Sequence, residues 1–306
     1  MIDIYHKSIK DGALEQIYEY KTGSWLHVDN ANQADLIKIS ELTSLNLEDL
    51  IDSLDKYETP RIEQKDENII IFVRHPSLEE EGLHTATLAI IITGSFLITI
   101  CPQKSKLVEM ILGSKIPFAT IQKTKLFFYL LLKITHDFNI QIKNVRYSVI
   151  EQEKKIKNID NSTILMLTKN EEKLNQYLAC LVPMRFVLES LKGDRYLSLH
   201  ETDKNVLEDL LIAINQSEDL CRINVKSIRS LRDAYQILFT NDVNKTIKLL
   251  TAITIIVTIP TIITSLYGMN VKLPFASHPH AFSILMIITL LSCIASTWIF
   301  YRKKWL

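Results

Sequence analysis

Glycine is scarce in this chain. Its 306 residues include seven, at positions 12, 23, 82, 94, 113, 193 and 268. No two lie close enough to build G-x-G-x-x-G, a G-x-S-x-G elbow or a Gly-rich loop ending in Gly-Lys. The phosphate cradles of nucleotide-driven pumps and dinucleotide enzymes are therefore missing, and no nucleotide is expected as a partner. There is no H-E-x-x-H and no Cys-x-x-Cys. The four cysteines (Cys101, Cys180, Cys221, Cys293) are scattered, as reduced, buried thiols in a cytosolic or membrane setting would be. No acid–base or nucleophile constellation stands out, so the chain does not read as an enzyme. The residues after Met1 carry no apolar core behind Lys7, so no signal peptide is expected.

Charge is also missing, but only locally. The 35 basic and 35 acidic side chains sum to zero, which argues against nucleic acid as the main partner. That balance hides a split. The last carboxylate is Asp242, and between Thr251 and Tyr301 the only formally charged side chain is Lys272. Residues 241–306 hold one acid against six bases (Lys245, Lys248, Lys272, Arg302, Lys303, Lys304), a net of +5, leaving −5 for residues 1–240. A wholly soluble globular protein does not leave its last fifth so bare of charge.

What is present divides into three regions. Residues 1–120 read as a mixed α/β domain, with strands expected at Ile2–Ile9, Trp25–Val28, Ile69–Arg74, Thr85–Ile92 and Phe96–Cys101. Thr93-Gly94-Ser95 reads as a hairpin turn in which glycine supplies a positive φ. Short amphipathic helices are expected at Asp35–Leu45 and Leu47–Leu54, closed by Pro60. Residues 121–248 read as long helices over Thr124–Ile159, Ser162–Leu191 and Thr202 onward. Gly193-Asp194 separates the last two, and Pro183 is expected to bend or break the second. From Thr202 there is no Pro or Gly until Pro260. At 1.5 Å per residue that run would reach roughly 100 Å by Leu266, the length of a stalk continuing into a membrane span.

Residues 249–306 hold two uncharged runs, Leu249–Tyr267 and Ala281–Phe300, joined by a loop over 268–280. Each matches the ~20 residues needed to cross hydrocarbon; two buried core helices are the alternative. Tyr267, Trp298, Tyr301 and Trp305 sit at the span ends, where amphipathic rings favour the interface. Basic residues precede the first span and follow the second, so the positive-inside bias places both termini in the cytoplasm. The fold class expected is α+β: an N-terminal α/β cytosolic domain, a long helical stalk or funnel, and two C-terminal transmembrane helices.

The first span carries a polar face. Alternating steps of three and four residues pass through Asn244, Ile247, Thr251, Thr254, Thr258, Thr261 and Ser265, one side of a helix. Every position of that face within the span is a hydroxyl, and Thr264 is the only hydroxyl off it. Continued backwards, the face meets Thr240, Ile237 and Asp233. Hydroxyls of this kind can pack between helices and bond their own i−4 carbonyls. They can also line a wet path, since their oxygens hydrogen-bond the waters of a hydrated ion. Two spans do not enclose a pore, whereas a symmetric ring of identical subunits would. Pro260 lies within this helix and leaves the Ile256 carbonyl without its N–H, a reason for a kink.

The span ends Tyr267-Gly268-Met269-Asn270, followed by a short loop and a basic terminus. In this position, Pro-Thr-Ile-Ile-Thr-Ser-Leu-Tyr-Gly-Met-Asn resembles the CorA family of divalent-cation transport proteins. The likeness covers the whole chain in architecture and residues 233–306 in motif. It implies a homopentameric channel in the plasma membrane that passes Mg²⁺ passively into the cell under control of cytosolic Mg²⁺. It assigns the outer mouth to Gly268, Met269 and Asn270, with the Asn270 ring meeting the hydrated ion. It places a second ring at the cytosolic end on Asn244, and a regulatory Mg²⁺ site on Asp233, with Asp209 as a further candidate. Glu79-Glu80-Glu81 is a candidate partner for that site, or a solvated loop. One departure stands out: the outer loop, from Val271 to His280, has no carboxylate. His278 and His280 could ligate Zn²⁺, Co²⁺ or Ni²⁺, or be ordinary loop residues. Two other readings stay open: transport of Co²⁺, Ni²⁺ or Zn²⁺ by the same architecture, and a non-conducting membrane signalling or scaffold protein.

Overall fold

The computed structural model describes residues 2–8, 13–43, 45–80, 82–112, 116–153, 161–193, 195–271 and 279–306; the side chains at 79, 80, 152 and 161 also lie outside the description. The chain divides into two compact units, Met1–Ser230 and Leu231–Leu306.

The first unit is built on a seven-stranded sheet. Its strands are β1 (Ile2–His6), β2 (Glu15–Ile17), β3 (Trp25–Val28), β4 (Arg61–Lys65), β5 (Asn68–Glu80), β6 (Leu83–Ile92) and β7 (Leu97–Ile100). They lie in the order β2-β1-β3-β7-β6-β5-β4. All neighbours are antiparallel except β3 and β7, which run parallel with Trp25 opposite Leu97 and Val28 opposite Ile100. Successive strand residues face opposite sides, so the central strands contribute two apolar faces. One, with Leu26, Val28, Ile70, Phe72, Ala89, Ile91, Ile98 and Ile100, packs on Leu36 and Ile39 of α1 (Gln33–Thr43) and Leu50 of α2 (Leu47–Leu50). The other faces α4 (Lys123–Glu153) and α5 (Asn161–Ser190), beyond the short α3 (Leu107–Leu112). A central sheet buried on both sides explains why Ile69–Val73 and Thr85–Ile92 are buried without a break.

Two expectations from the sequence need correction. Gly94 does not adopt a positive φ; that conformation belongs to Gly23 and Gly82. The β6–β7 hairpin is instead closed by Thr93, whose Oγ1 accepts from the Phe96 N–H (2.9 Å) while its own N–H bonds the Phe96 carbonyl (3.0 Å). Pro183 does not break α5, which runs through it from Asn161 to Ser190. Cys180, Leu181, Met184, Val187 and Leu188 around it are all buried, and this packing outweighs the one lost N–H. Strands β2 and β4 were not anticipated. Glu79, Glu80 and Glu81 cannot be placed as a site, since their side chains lie outside the described residues, as does Asp194.

Arg74, a charged side chain buried in the sheet, is closely partnered. The Arg74 guanidinium donates to Thr85 Oγ1 (3.0 Å), Thr87 Oγ1 (3.0 Å), the Thr85 carbonyl (2.9 Å) and the Lys56 carbonyl (2.8 Å). His75 is buried beside it, and burial pushes its pKa down to about 4, with the Arg74 charge adding to the effect and the Pro76 carbonyl opposing it. Burial likewise pushes His27 down to about 4.

The last two helices are α6 (Glu201–Tyr267, 67 residues) and α7 (Ala281–Arg302, 22 residues). Up to Ser230, α6 packs within the first unit through Arg185–Glu218 (3.0 Å), Arg229–Glu171 (2.6 Å) and Ser217–Asn139 (3.1 Å). Pro260 does not interrupt it.

Candidate functional site

In the second unit, α6 and α7 are both long and apolar enough to cross a membrane. Nothing in a single chain covers most of them: Leu250, Val257, Phe282, Leu290 and Trp298 are each more than half exposed. Exposed apolar surface on this scale requires hydrocarbon or another protein surface. Cys293 of α7 meets Ile256 of α6, and the less exposed positions of both helices follow helical spacing. On α6 they are Ala252, Ile256, Ile259, Pro260, Ile263 and Tyr267. On α7 they are Ala281, Leu285, Thr289, Ser292, Cys293, Ser296 and Phe300. The α7 row is rich in small and hydroxyl residues, which allow close approach of two membrane helices.

The hydroxyl face of α6 lies on the opposite side from this contact. Thr251, Thr254, Thr258, Thr261 and Ser265 are all exposed, and at 3.6 residues per turn they fall about half a turn away from Ala252, Ile256 and Ile263. Three of them spend their hydrogens on the helix itself. Thr254 donates to the Leu250 carbonyl (2.8 Å), Thr258 to Thr254 (2.7 Å) and Thr261 to Val257 (3.0 Å). Back-bonding of this kind fixes each side chain and leaves the oxygen lone pairs facing outward. The result is a column of neutral acceptors. The waters around a hydrated cation turn their hydrogens outward, so acceptors are what such an ion needs.

Gly268, Met269 and Asn270 cap this column. The Gly268 N–H donates to the Thr264 carbonyl (3.0 Å) and the Met269 N–H to the Leu266 carbonyl (3.3 Å), so the tripeptide is a tightened last turn of the helix. A Cβ on Gly268 would stand 3.2 Å from the Thr264 carbonyl oxygen, which favours glycine there. Met269 and Asn270 are exposed. The C-terminal end of α6 also carries the partial negative charge of its aligned peptide dipoles. His280 precedes α7 directly, whereas His278 and the rest of the outer loop from 272 lie outside the described residues.

At the other end, Asn244 is exposed on the same face. Asp233, Gln236, Ile237, Thr240 and Asn241 line one open groove further down α6. Asp233 and Asp209 are both exposed, and among the described residues neither makes an ion pair. Asp242 instead pairs with Lys245 (3.0 Å). Asp209 belongs to the first unit and Asp233 to the second.

Sequence reasoning missed Cys293. Its Sγ donates to the Ile256 carbonyl (3.8 Å), the acceptor that Pro260 leaves without an N–H. The signal was present: an orphaned carbonyl in a membrane helix demands a donor from a neighbour.

An α+β domain bearing two C-terminal helices long and apolar enough to cross a membrane, one with an uninterrupted hydroxyl face, defines the architecture of a two-span membrane protein. Residues 20–302 match the profile of the family described as CorA-like Mg²⁺ transporter protein, and the chain belongs to that family. Among curated relatives, the cobalt/magnesium transport protein CorA of Methanocaldococcus jannaschii is 27% identical over 98% of this chain and 96% of its own length. The magnesium transport protein CorA of Campylobacter jejuni is 29% identical over 40% of this chain and 37% of its own. Among solved structures, the complete CorA magnesium transporter from M. jannaschii superposes with a TM-score of 0.81 at 24% identity, covering 100% of this chain and 99% of that one. Full-length CmaX follows with a TM-score of 0.74 at 18% identity, covering 99% and 97%.

Proposed function

We propose that this protein conducts Mg²⁺ passively into the cell through a ring of identical subunits, a homopentamer, with the hydroxyl face of each α6 turned to the axis. The observation that carries this reading is the placement of that face: it is the polar side of an otherwise apolar span, and α7 packs on the opposite side. Copies arranged around an axis would bring five such columns together, leaving α7 and the apolar flanks of α6 to lipid. Family membership and the relatives' names supply the cargo. Mg²⁺ gives up its waters reluctantly, so a path lined by neutral acceptors passes the hydrated ion without holding it as carboxylates would. Co²⁺, named with magnesium for the M. jannaschii relative, is a second cargo.

Asn270 forms the outer ring that recognises the hydrated ion, with Gly268 and Met269 shaping the turn that presents it. The acid-free outer loop is offset by the converging C-terminal dipoles of the α6 helices, which supply negative potential at the mouth. Thr251, Thr254, Thr258, Thr261 and Ser265 line the path, and Asn244 forms the ring at its cytosolic end. Lys245, Lys248, Arg302, Lys303 and Lys304 keep both termini cytoplasmic. A potential of 100 mV drives a divalent ion with about 4.6 kcal/mol, so no nucleotide is required.

Control comes from cytosolic Mg²⁺ at Asp233, with Asp209 as a further site. Exposed carboxylates without an ion-pair partner are the hard oxygen donors that Mg²⁺ prefers. Bound Mg²⁺ neutralises these acids and holds the ring closed; at low Mg²⁺ their mutual repulsion loosens it. The test is uptake in a strain lacking Mg²⁺ transport. Asn270→Ala abolishes uptake on this account, and undiminished uptake by that variant contradicts it.

A further inference from the structure

Away from the membrane helices, three side chains with different donor atoms meet at the carboxyl-terminal ends of the one parallel strand pair. His27 is the third residue of β3, Asp29 follows that strand, and Cys101 follows β7. The register places His27 opposite Thr99, and a period of two then puts Asp29 and Cys101 on the same side of the sheet. One ligand atom from each of His27, Asp29 and Cys101 lies within 4.8 Å of the others. His27 and Cys101 are buried, and Asp29 is half-buried and opens the cluster to solvent.

A second observation concerns His27 alone. Its Nδ1 lies 2.8 Å from Thr99 Oγ1, which also receives the Trp25 indole N–H (2.9 Å) and points its own hydrogen toward the Leu26 carbonyl (3.4 Å). In that arrangement Nδ1 carries the imidazole proton, and Nε2 is a bare lone pair. Nε2 is fully buried and has no hydrogen-bond partner. A buried acceptor without a partner is costly, and its residue, His27, belongs to the three-residue group. Asp29 is held as a ligating carboxylate usually is: its Oδ1 accepts the Ser105 N–H (2.7 Å), and the Ser105 hydroxyl lies 3.3 Å from His75 Nε2.

We propose that His27 Nε2, Asp29 and Cys101 Sγ bind one borderline-soft divalent metal ion of the Co²⁺ or Zn²⁺ class, in a site separate from the ion path. Bonds of about 2.0–2.3 Å in a tetrahedral site would draw the three ligand atoms to about 3.3–3.7 Å apart, inward from a cluster whose atoms now lie within 4.8 Å of one another. A water reaching in beside Asp29 takes the fourth position. On binding, the Cys101 thiol releases its proton and forms the metal–sulfur bond. Thiolate and carboxylate then neutralise the dication, so no net charge remains at the site. Sulfur and imidazole nitrogen select this class against Mg²⁺, which requires oxygen ligands in octahedral geometry. The site does not depend on whether the protein conducts Mg²⁺.

The test uses the purified full-length protein, stripped of metal and titrated with Co²⁺ alone and again with Mg²⁺ in large excess. The expected result is a thiolate-to-Co²⁺ charge-transfer band in the near ultraviolet, with tetrahedral bands in the visible. These saturate at one Co²⁺ per chain and survive the Mg²⁺. Cys101→Ser removes the charge-transfer band. Asp29→Asn keeps the band but weakens binding at least tenfold, and Thr99→Val, which frees the imidazole from its orienting partner, weakens it by about 10–100-fold. No band at saturating Co²⁺, or a band unchanged in Cys101→Ser, overturns the proposal. If Cys101→Ser does not fold, unchanged Co²⁺ affinity in Asp29→Asn overturns it instead.

Discussion

The Cys293 thiol on α7 donates to the Ile256 carbonyl on α6 across 3.8 Å, supplying the hydrogen that Pro260, four residues on, lacks. The backbone stays helical through the proline while one of its carbonyls is satisfied by a neighbour. The two membrane helices are thereby pinned together on the side away from the hydroxyl face.

That relationship predicts a coupled pair. Cys293→Ala leaves the Ile256 carbonyl without a donor and lowers the stability of the detergent-solubilised protein by about 0.5–2 kcal/mol. Pro260→Ala restores the backbone N–H, so in that background Cys293→Ala costs little more than its lost packing. Thermal unfolding of the four proteins in a double-mutant cycle measures the coupling; additive losses would contradict it.

Asp233→Lys replaces the carboxylate proposed to bind the regulatory ion with a fixed positive charge. Inhibition by cytosolic Mg²⁺ then weakens, and the inhibiting concentration rises by about tenfold or more, within the usual range of coupling between sites. Flux measured against internal Mg²⁺ in proteoliposomes checks this. An unchanged inhibition curve would remove Asp233 from the sensor.

His75 gives the first unit a pH dependence of known sign. Its folded pKa is lowered from 6.5 to about 4, so between those values the unfolded chain holds more protons than the folded one. Stability is fully present above about pH 6.5 and is lost progressively as the pH falls toward 4. His27 acts in the same direction. The unfolding temperature of the metal-stripped protein should fall across that window, and His75→Gln should make the fall shallower. A slope identical in the variant would contradict the assignment.

Much of the architecture was legible because its signals are local. Trp25–Val28 is a short buried run and is strand β3 to the residue. The uncharged runs ending at Tyr267 and beginning at Ala281 are helices with those limits. What escaped notice depends on neighbours. Glu15–Ile17 and Arg61–Lys65 are the two edge strands; their largely polar, part-exposed residues lack a strand's apolar pattern. The turn at Thr93 is made by a side chain rather than by glycine's freedom. His27 and Cys101 are 74 positions apart and meet only because β3 and β7 pair in parallel. The Cys293–Ile256 contact required knowing which faces of α6 and α7 touch. The hydroxyl face, by contrast, was fully readable, since one helix and its period suffice.

The central claim, that this face conducts, is tested most directly by comparing Mg²⁺ flux into proteoliposomes for Thr258→Val and Thr264→Val. Both substitutions swap a back-bonded hydroxyl for a methyl of similar size, at exposed positions of the same helix. Only Thr258 lies on the hydroxyl face. If the face conducts, Thr258→Val lowers flux severalfold while Thr264→Val leaves it near the unmodified level. Equal flux in the two variants would contradict it.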